Sequence, residues 1–146
     1  MLKMVNHTSF TVSDLDHSLK FYTEMLGMEM ISLADRPQEF CEKVTGIPGA
    51  KMKIAYVKGA DYNIELIQYL SPPGKKLDTS TNNVGSAHLC FIVDNMMEMY
   101  RDLSSKGVHF RGQPVSIPAG PNKGGLVVYL TDPDDNNLEF VEHPSR

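Results

Sequence analysis

One pattern occurs twice in this chain. Near the start it reads His7-Thr8-Ser9-Phe10-Thr11-Val12-Ser13-Asp14, and later His88-Leu89-Cys90-Phe91-Ile92-Val93-Asp94. A second pair of segments also matches, Asn63-Ile64-Glu65-Leu66-Ile67 against Asn137-Leu138-Glu139-Phe140-Val141. Each half therefore begins on a histidine and finishes on a glutamate, with the histidines 81 residues apart and the glutamates 74. An internal repeat constrains the whole fold, because each copy is one supersecondary unit. Two His and two Glu at repeated positions also make an oxygen/nitrogen ligand set for a divalent metal.

The local pattern fills in each copy. Residues 5–12 are β-branched or aromatic at several positions and predict a strand. Ser13 and Asp14 are good N-caps, and Leu15, Leu19, Tyr22 and Leu26 recur at helical spacing up to Gly27. The second half repeats this: His88–Val93 as strand, Asp94 as cap, Met96/Met97, Tyr100 and Leu103 as the buried stripe, Gly107 as the stop. Further strands are predicted over Met28–Leu33, Lys51–Val57 and Tyr62–Tyr69. In the second half they fall at Val108–Phe110, extended by Val115–Ile117, then Gly125–Leu130 and Asn137–Glu142. Each half reads β-α-β-β-β, an α+β chain of tandem modules over residues 1–70 and 86–146, joined by a polar linker over 71–85. The first half carries an insertion, Asp35–Ala50, whose middle predicts a short helix and whose Gly/Pro end predicts a turn.

Composition narrows the function classes. At 146 residues there is room for one domain, or two small modules sharing a core. A net charge of −4 leaves no basic patch for nucleic acid. No apolar run approaches the roughly 20 residues of a membrane span. The repeat starts within seven residues of the N-terminus, which argues against a signal peptide. Cys41 and Cys90 are isolated, with no C-x-x-C spacing, so neither a disulfide scaffold nor a zinc knuckle is expected. The expectation is a reduced, cytoplasmic protein acting on a small molecule.

On a strand, side chains alternate faces, so one His or Glu can point to one side while its neighbours point to the other. Apolar residues flank both glutamates, Ile64 and Leu66 around Glu65, Leu138 and Phe140 around Glu139. A charge in such a strand is costly to bury unpartnered, and a cation satisfies two of them at once. His7 and His88 would add neutral imidazoles. Taken singly, a strand Glu is usually solvated and a His usually hydrogen-bonded within the fold. The matched pairs argue for the metal. His17, His109 and His143 read as structural or exposed, and Met96, Met97 and Met99 as helix packing and surface. Cys90 is placed one position off the metal-facing register and, like Cys41, reads as inert.

The stretches His7–Met28, Ala87–Asn95 and Asp132–Glu142 resemble the vicinal oxygen chelate superfamily, which includes glyoxalase I, methylmalonyl-CoA epimerase, extradiol dioxygenases and bleomycin- or fosfomycin-resistance proteins. The resemblance spans essentially the whole chain. It implies two βαβββ modules forming a curved mixed sheet around a metal, with His7, Glu65, His88 and Glu139 as ligands. Asp134-Asp135-Asn136 departs from the usual pattern, which has a glycine in that turn; Asp and Asn tolerate such turns.

Glyoxalase I is the member most similar in look, through the first helix and the run Gly120–Gly125, where Lys123 would hold an anionic substrate. The implied activity is that of a metal-dependent lyase or isomerase. One divalent ion (Ni, Zn, Co, Mn or Fe) would chelate a small oxygenated substrate, while Glu139, aided by Glu65, shifts a proton through an enediolate. Other readings are a methylmalonyl-CoA-epimerase-like enzyme, an Fe(II) dioxygenase, and a metal-free small-molecule binding protein. The superfamily also implies a homodimer.

Overall fold

Asp14 caps the first helix as its position predicts, its carboxylate accepting the His17 N–H at 2.9 Å. The computed structural model describes residues 1–59 and 61–144, and divides into two compact units, Met1–Leu77 and Asp78–Arg146.

In the first unit, strand β1 (Thr8–Thr11) leads into helix α1 (Leu15–Lys20), which continues as a π-helical turn, Phe21–Met25. Strand β2 (Glu29–Arg36), helix α2 (Gln38–Thr45), β3 (Lys51–Gly59) and β4 (Tyr62–Ser71) follow. The sheet order is β1-β4-β3-β2, with β1 parallel to β4 and the other neighbours antiparallel. This is the expected βαβββ module with one helix inserted.

The two faces of this sheet have different tasks. Ala55, Val57, Ile64 and Leu66 are fully buried on the α1 side, with Leu15 and Tyr22. Each large apolar side chain so placed contributes roughly 1.5–3 kcal/mol. A register slip of one residue would turn Glu65 into that core, so the core fixes which way Glu65 points. On the opposite face, α2 sets Cys41 against Ala50, Met52 and Ile54, with Tyr56, Ile67 and Tyr69 packed alongside. The insertion therefore lies on the same face as Glu65, which pairs in register with Tyr56.

The second unit repeats the module with β5 (His88–Ile92), α3 (Met96–Ser105), β6 (Val115–Ser116), β7 (Leu126–Thr131) and β8 (Asn137–Glu142). Its order is β5-β8-β7-β6, again with the first strand parallel to the last. Met96, Leu103, Leu130, Leu138 and Phe140 form its core, whereas Met97 is exposed and leaves the predicted stripe. The segment Val108–Phe110 contributes only a bridge from Phe110 to Leu130, so the second strand is shorter than expected. Asp135 takes a positive φ of 64° in the turn where the resemblance leads one to expect glycine. The Asp132 carboxylate holds that turn by accepting the Asp134 and Asn136 N–H groups, each at 2.9 Å.

The repeat extends to the helix caps. Leu15 and Met96 each lie eight residues beyond their histidine, and Gln68 and Glu142 each lie three beyond their glutamate. The Gln68 side chain accepts the Leu15 N–H at 3.1 Å and donates to the Ser13 carbonyl at 3.0 Å. Glu142 accepts the Met96 N–H at 2.7 Å. Helix α3 is thus capped from β8 and not by Asp94; Asn95, in left-handed backbone at φ 55°, swings the chain into the helix. Among the described residues no helix is long and apolar enough to cross a membrane.

Candidate metal centre

Strand alternation puts His7 and Ser9 on one face, and Ser9 pairs with Glu65. His7 Nε2 lies 3.4 Å from Glu65 Oε2. In the second unit His88 Nε2 lies 3.2 Å from Glu139 Oε2. The glutamate side chains are 13% and 16% exposed, so both carboxylates are largely withdrawn from water and need a partner.

A tyrosine completes each pair. Tyr56 pairs with Glu65, and its ring meets the His7 ring edge-on at 5.4 Å. Tyr129 pairs with Glu139, and its ring meets the His88 ring edge-on at 5.1 Å. The repeated group is therefore His–Tyr–Glu, with the tyrosine from the third strand of each module. Sequence reasoning passed over both tyrosines. The signal was present in Ile54-Ala55-Tyr56-Val57 and Val127-Val128-Tyr129-Leu130, whose tyrosines stand nine residues before Glu65 and ten before Glu139.

The two groups differ in what holds the carboxylate. Tyr56 Oη donates to Glu65 Oε1 at 2.5 Å. Burial, followed by this bond and the Glu65 charge, pushes the Tyr56 phenol up to about 12, while Arg36 pulls it down. Tyr56 thus remains a proton donor throughout the neutral range. Burial also raises Tyr129, with Glu139 and Cys90 adding to it. Glu139 instead faces Cys90, whose thiol is pushed up to about 12 by partial burial and then by that carboxylate. Cys90 pairs with Glu139 in register. It lies two residues from His88, so strand periodicity puts it on the ligand face, which corrects the placement one position off register.

Both pairs fit a divalent ion. His7 Nδ1 lies 2.7 Å from Asn6 Oδ1, a contact that favours the proton on Nδ1 and leaves the Nε2 lone pair toward Glu65. Two acceptors so placed call for a proton or a cation. Bonds of about 2.0–2.2 Å to one metal put neighbouring N and O donors about 3.0–3.4 Å apart at 90–110°, which matches both separations. Among the described residues no three His, Cys, Asp or Glu side chains are placed to hold a metal.

The remaining predicted residues stand apart from these groups. Lys123 is exposed in the turn before β7, its backbone N–H on the Gly120 carbonyl at 3.2 Å, and its side chain joins neither group. His109 Nδ1 lies 3.3 Å from Thr131 Oγ1, a contact within the fold. His17 is exposed on α1.

A sequence profile of the glyoxalase/bleomycin resistance protein/dioxygenase superfamily matches residues 4–140. A lactoylglutathione lyase from Haemophilus influenzae is 28% identical, over 95% of this chain and 92% of that protein. A 2-epi-5-epi-valiolone epimerase from Actinomyces is also 28% identical, over 97% of this chain and 80% of that protein. Among solved structures, a glyoxalase family protein from Bacillus cereus superposes with a TM-score of 0.85 at 23% identity, covering 99% of this chain and 97% of that one.

Proposed function

The chain belongs to the glyoxalase/bleomycin resistance protein/dioxygenase superfamily, and from that premise we propose that it is a divalent-metal-dependent lyase or isomerase of the glyoxalase I kind. The observation that carries the reading is the repeated pairing of a histidine nitrogen with a glutamate oxygen, at 3.4 Å and 3.2 Å. His7, Glu65, His88 and Glu139 would hold one divalent ion, Ni, Zn, Co, Mn or Fe. When bound, the ion supplies Lewis acidity to neighbouring oxygens of the substrate.

The chain's own groups divide the remaining work. Tyr56 holds Glu65 by a strong phenol–carboxylate hydrogen bond, which keeps that side chain in one place. Glu139 receives no phenol hydrogen bond; besides His88 it faces the Cys90 thiol, a weak donor. Glu139 is therefore the carboxylate able to move and to take a proton from the carbon beside the substrate carbonyl, then return it to the neighbouring carbon. A homodimer is part of the proposal. A small-molecule substrate suits a site built on sheet faces.

The epimerase among the relatives favours a second reading, in which the proton returns to the carbon it left. Both readings share the base. Glu139→Gln is expected to abolish solvent-deuterium exchange into hemithioacetal and acyl-CoA substrates while metal remains bound. Unchanged exchange would reject the assignment, and the substrate that exchanges separates lyase from epimerase.

A further inference from the structure

We propose that Arg36 is a specificity residue that receives an anionic group, a carboxylate or phosphate, carried by the substrate. The inference rests on reading the His7–Tyr56–Glu65 face as half of the metal site. Arg36 ends β2 opposite Met52, while Ala34 opposes Ile54 and Ser32 opposes Tyr56. Cross-strand partners share a face, so Arg36 stands on the face that carries Tyr56 and Glu65. Between Arg36 and the Tyr56 position, β2 presents only Ala34 and Ser32 to that face. Both side chains are small and exposed.

Among the described residues its guanidinium makes no hydrogen bond or ion pair. Among the described residues no acidic side chain pairs with Arg36, although the Cys41 thiol lies 3.6 Å from its carbonyl and ties its backbone to α2. The arginine beside Tyr129 in the second unit is spent differently: Arg111 Nε and Nη2 both donate to Asn137 Oδ1, at 2.9 and 2.6 Å. A half-buried guanidinium with free donors matches the planar fork of a carboxylate or the oxygens of a phosphate. Met52 and Tyr56 are four residues apart, about 13 Å of strand. The anion therefore sits toward the α2 end of the face, away from the reacting carbons. This also gives the insertion a function, because α2 follows Arg36 directly and packs on that face.

The test compares two methylglyoxal hemithioacetals, one from 3-mercaptopropionate and one from 2-mercaptoethanol, on the Zn²⁺-loaded protein. The two share every reacting atom and differ in one carboxylate. Binding is read from the NMR shift of the Arg36 Nε–H, and proton exchange is followed in parallel. The wild type should bind the anionic compound about 10- to 100-fold more tightly, with a shift at Arg36. Arg36→Met should erase the preference yet leave affinity for the neutral compound and for zinc unchanged, and Lys123→Ala should retain it. An unchanged preference in Arg36→Met, or no preference or binding in the wild type, overturns the inference. Preferential binding without proton exchange would leave Arg36 assigned and sink the lyase/isomerase reading instead. For a phosphate group, competition by inorganic phosphate should outstrip competition by acetate in the wild type; for a carboxylate the order reverses.

Discussion

Tyr56 Oη lies 2.5 Å from Glu65 Oε1, whereas the matching tyrosine, Tyr129, makes no such bond to Glu139, which faces the Cys90 thiol. The repeated group thus has unequal halves. One carboxylate is tied by a phenol, and the other has no phenol donor. Unequal carboxylates are what a proton-moving site needs if one is to remain a ligand while the other exchanges protons.

Tyr56→Phe removes the donor and leaves a largely buried carboxylate oxygen short of a partner. Metal affinity should fall about 10- to 100-fold, as when other groups that orient a ligand are lost. Tyr129→Phe should change it far less. Isothermal titration of both variants with Zn²⁺ checks this, and equal losses would contradict the asymmetry.

The helix caps predict a second matched pair of effects. Gln68→Ala and Glu142→Ala each strip an acceptor from the first N–H of a helix. Each should cost about 0.5–2 kcal/mol in urea unfolding. Asp94→Ala should cost much less, since α3 takes its cap from β8.

These caps show where the sequence was legible and where it was not. His7, Glu65, His88 and Glu139 were visible because each recurs at a matched distance from a strand or helix signal. Tyr56 and Tyr129 hid in plain strand composition, where an aromatic is expected on propensity alone. Asp94 looked like the cap because local pattern favours Asp before a helix. The true acceptor is Glu142, and nothing within a helix-length window points to it. The Cys90 error was one of counting, since two residues from His88 returns the chain to the same face. Arg36 was passed over because the strand predicted over Met28–Leu33 ended before it. The observed strand runs on to Arg36 and carries that residue onto the Tyr56 face.

The insertion should loosen in acid. Glu42 Oε1 accepts from Gln38 Nε2 and from the Gly49 N–H, both at 2.8 Å. These bonds, the Gln38 one first, hold its carboxyl below the usual range. A depressed carboxyl stabilises the fold fully above its unfolded pKa, and the contribution is lost as pH falls through the folded one. Hydrogen exchange at Gly49 should therefore lose protection beyond its intrinsic pH dependence in that acid window, and Glu42→Gln should remove the extra loss.

Cys90 should be a sluggish nucleophile despite its accessibility. With the thiol pushed up to about 12, its thiolate fraction at neutral pH falls on the order of a thousandfold below an ordinary cysteine's. Iodoacetamide should label metal-free protein slowly at pH 8. Glu139→Gln, which removes the adjacent charge, should speed labelling, and an unchanged rate would deny the contact.

As proposed, His7, Glu65, His88 and Glu139 bind one divalent ion. Titration of the metal-free chain with Co²⁺, followed by visible absorption, is the decisive measurement. A single class of site with one ion per chain is expected, lost or greatly weakened when either His7 or His88 is changed to Ala. Two independent ions per chain, or binding indifferent to either histidine, would contradict it.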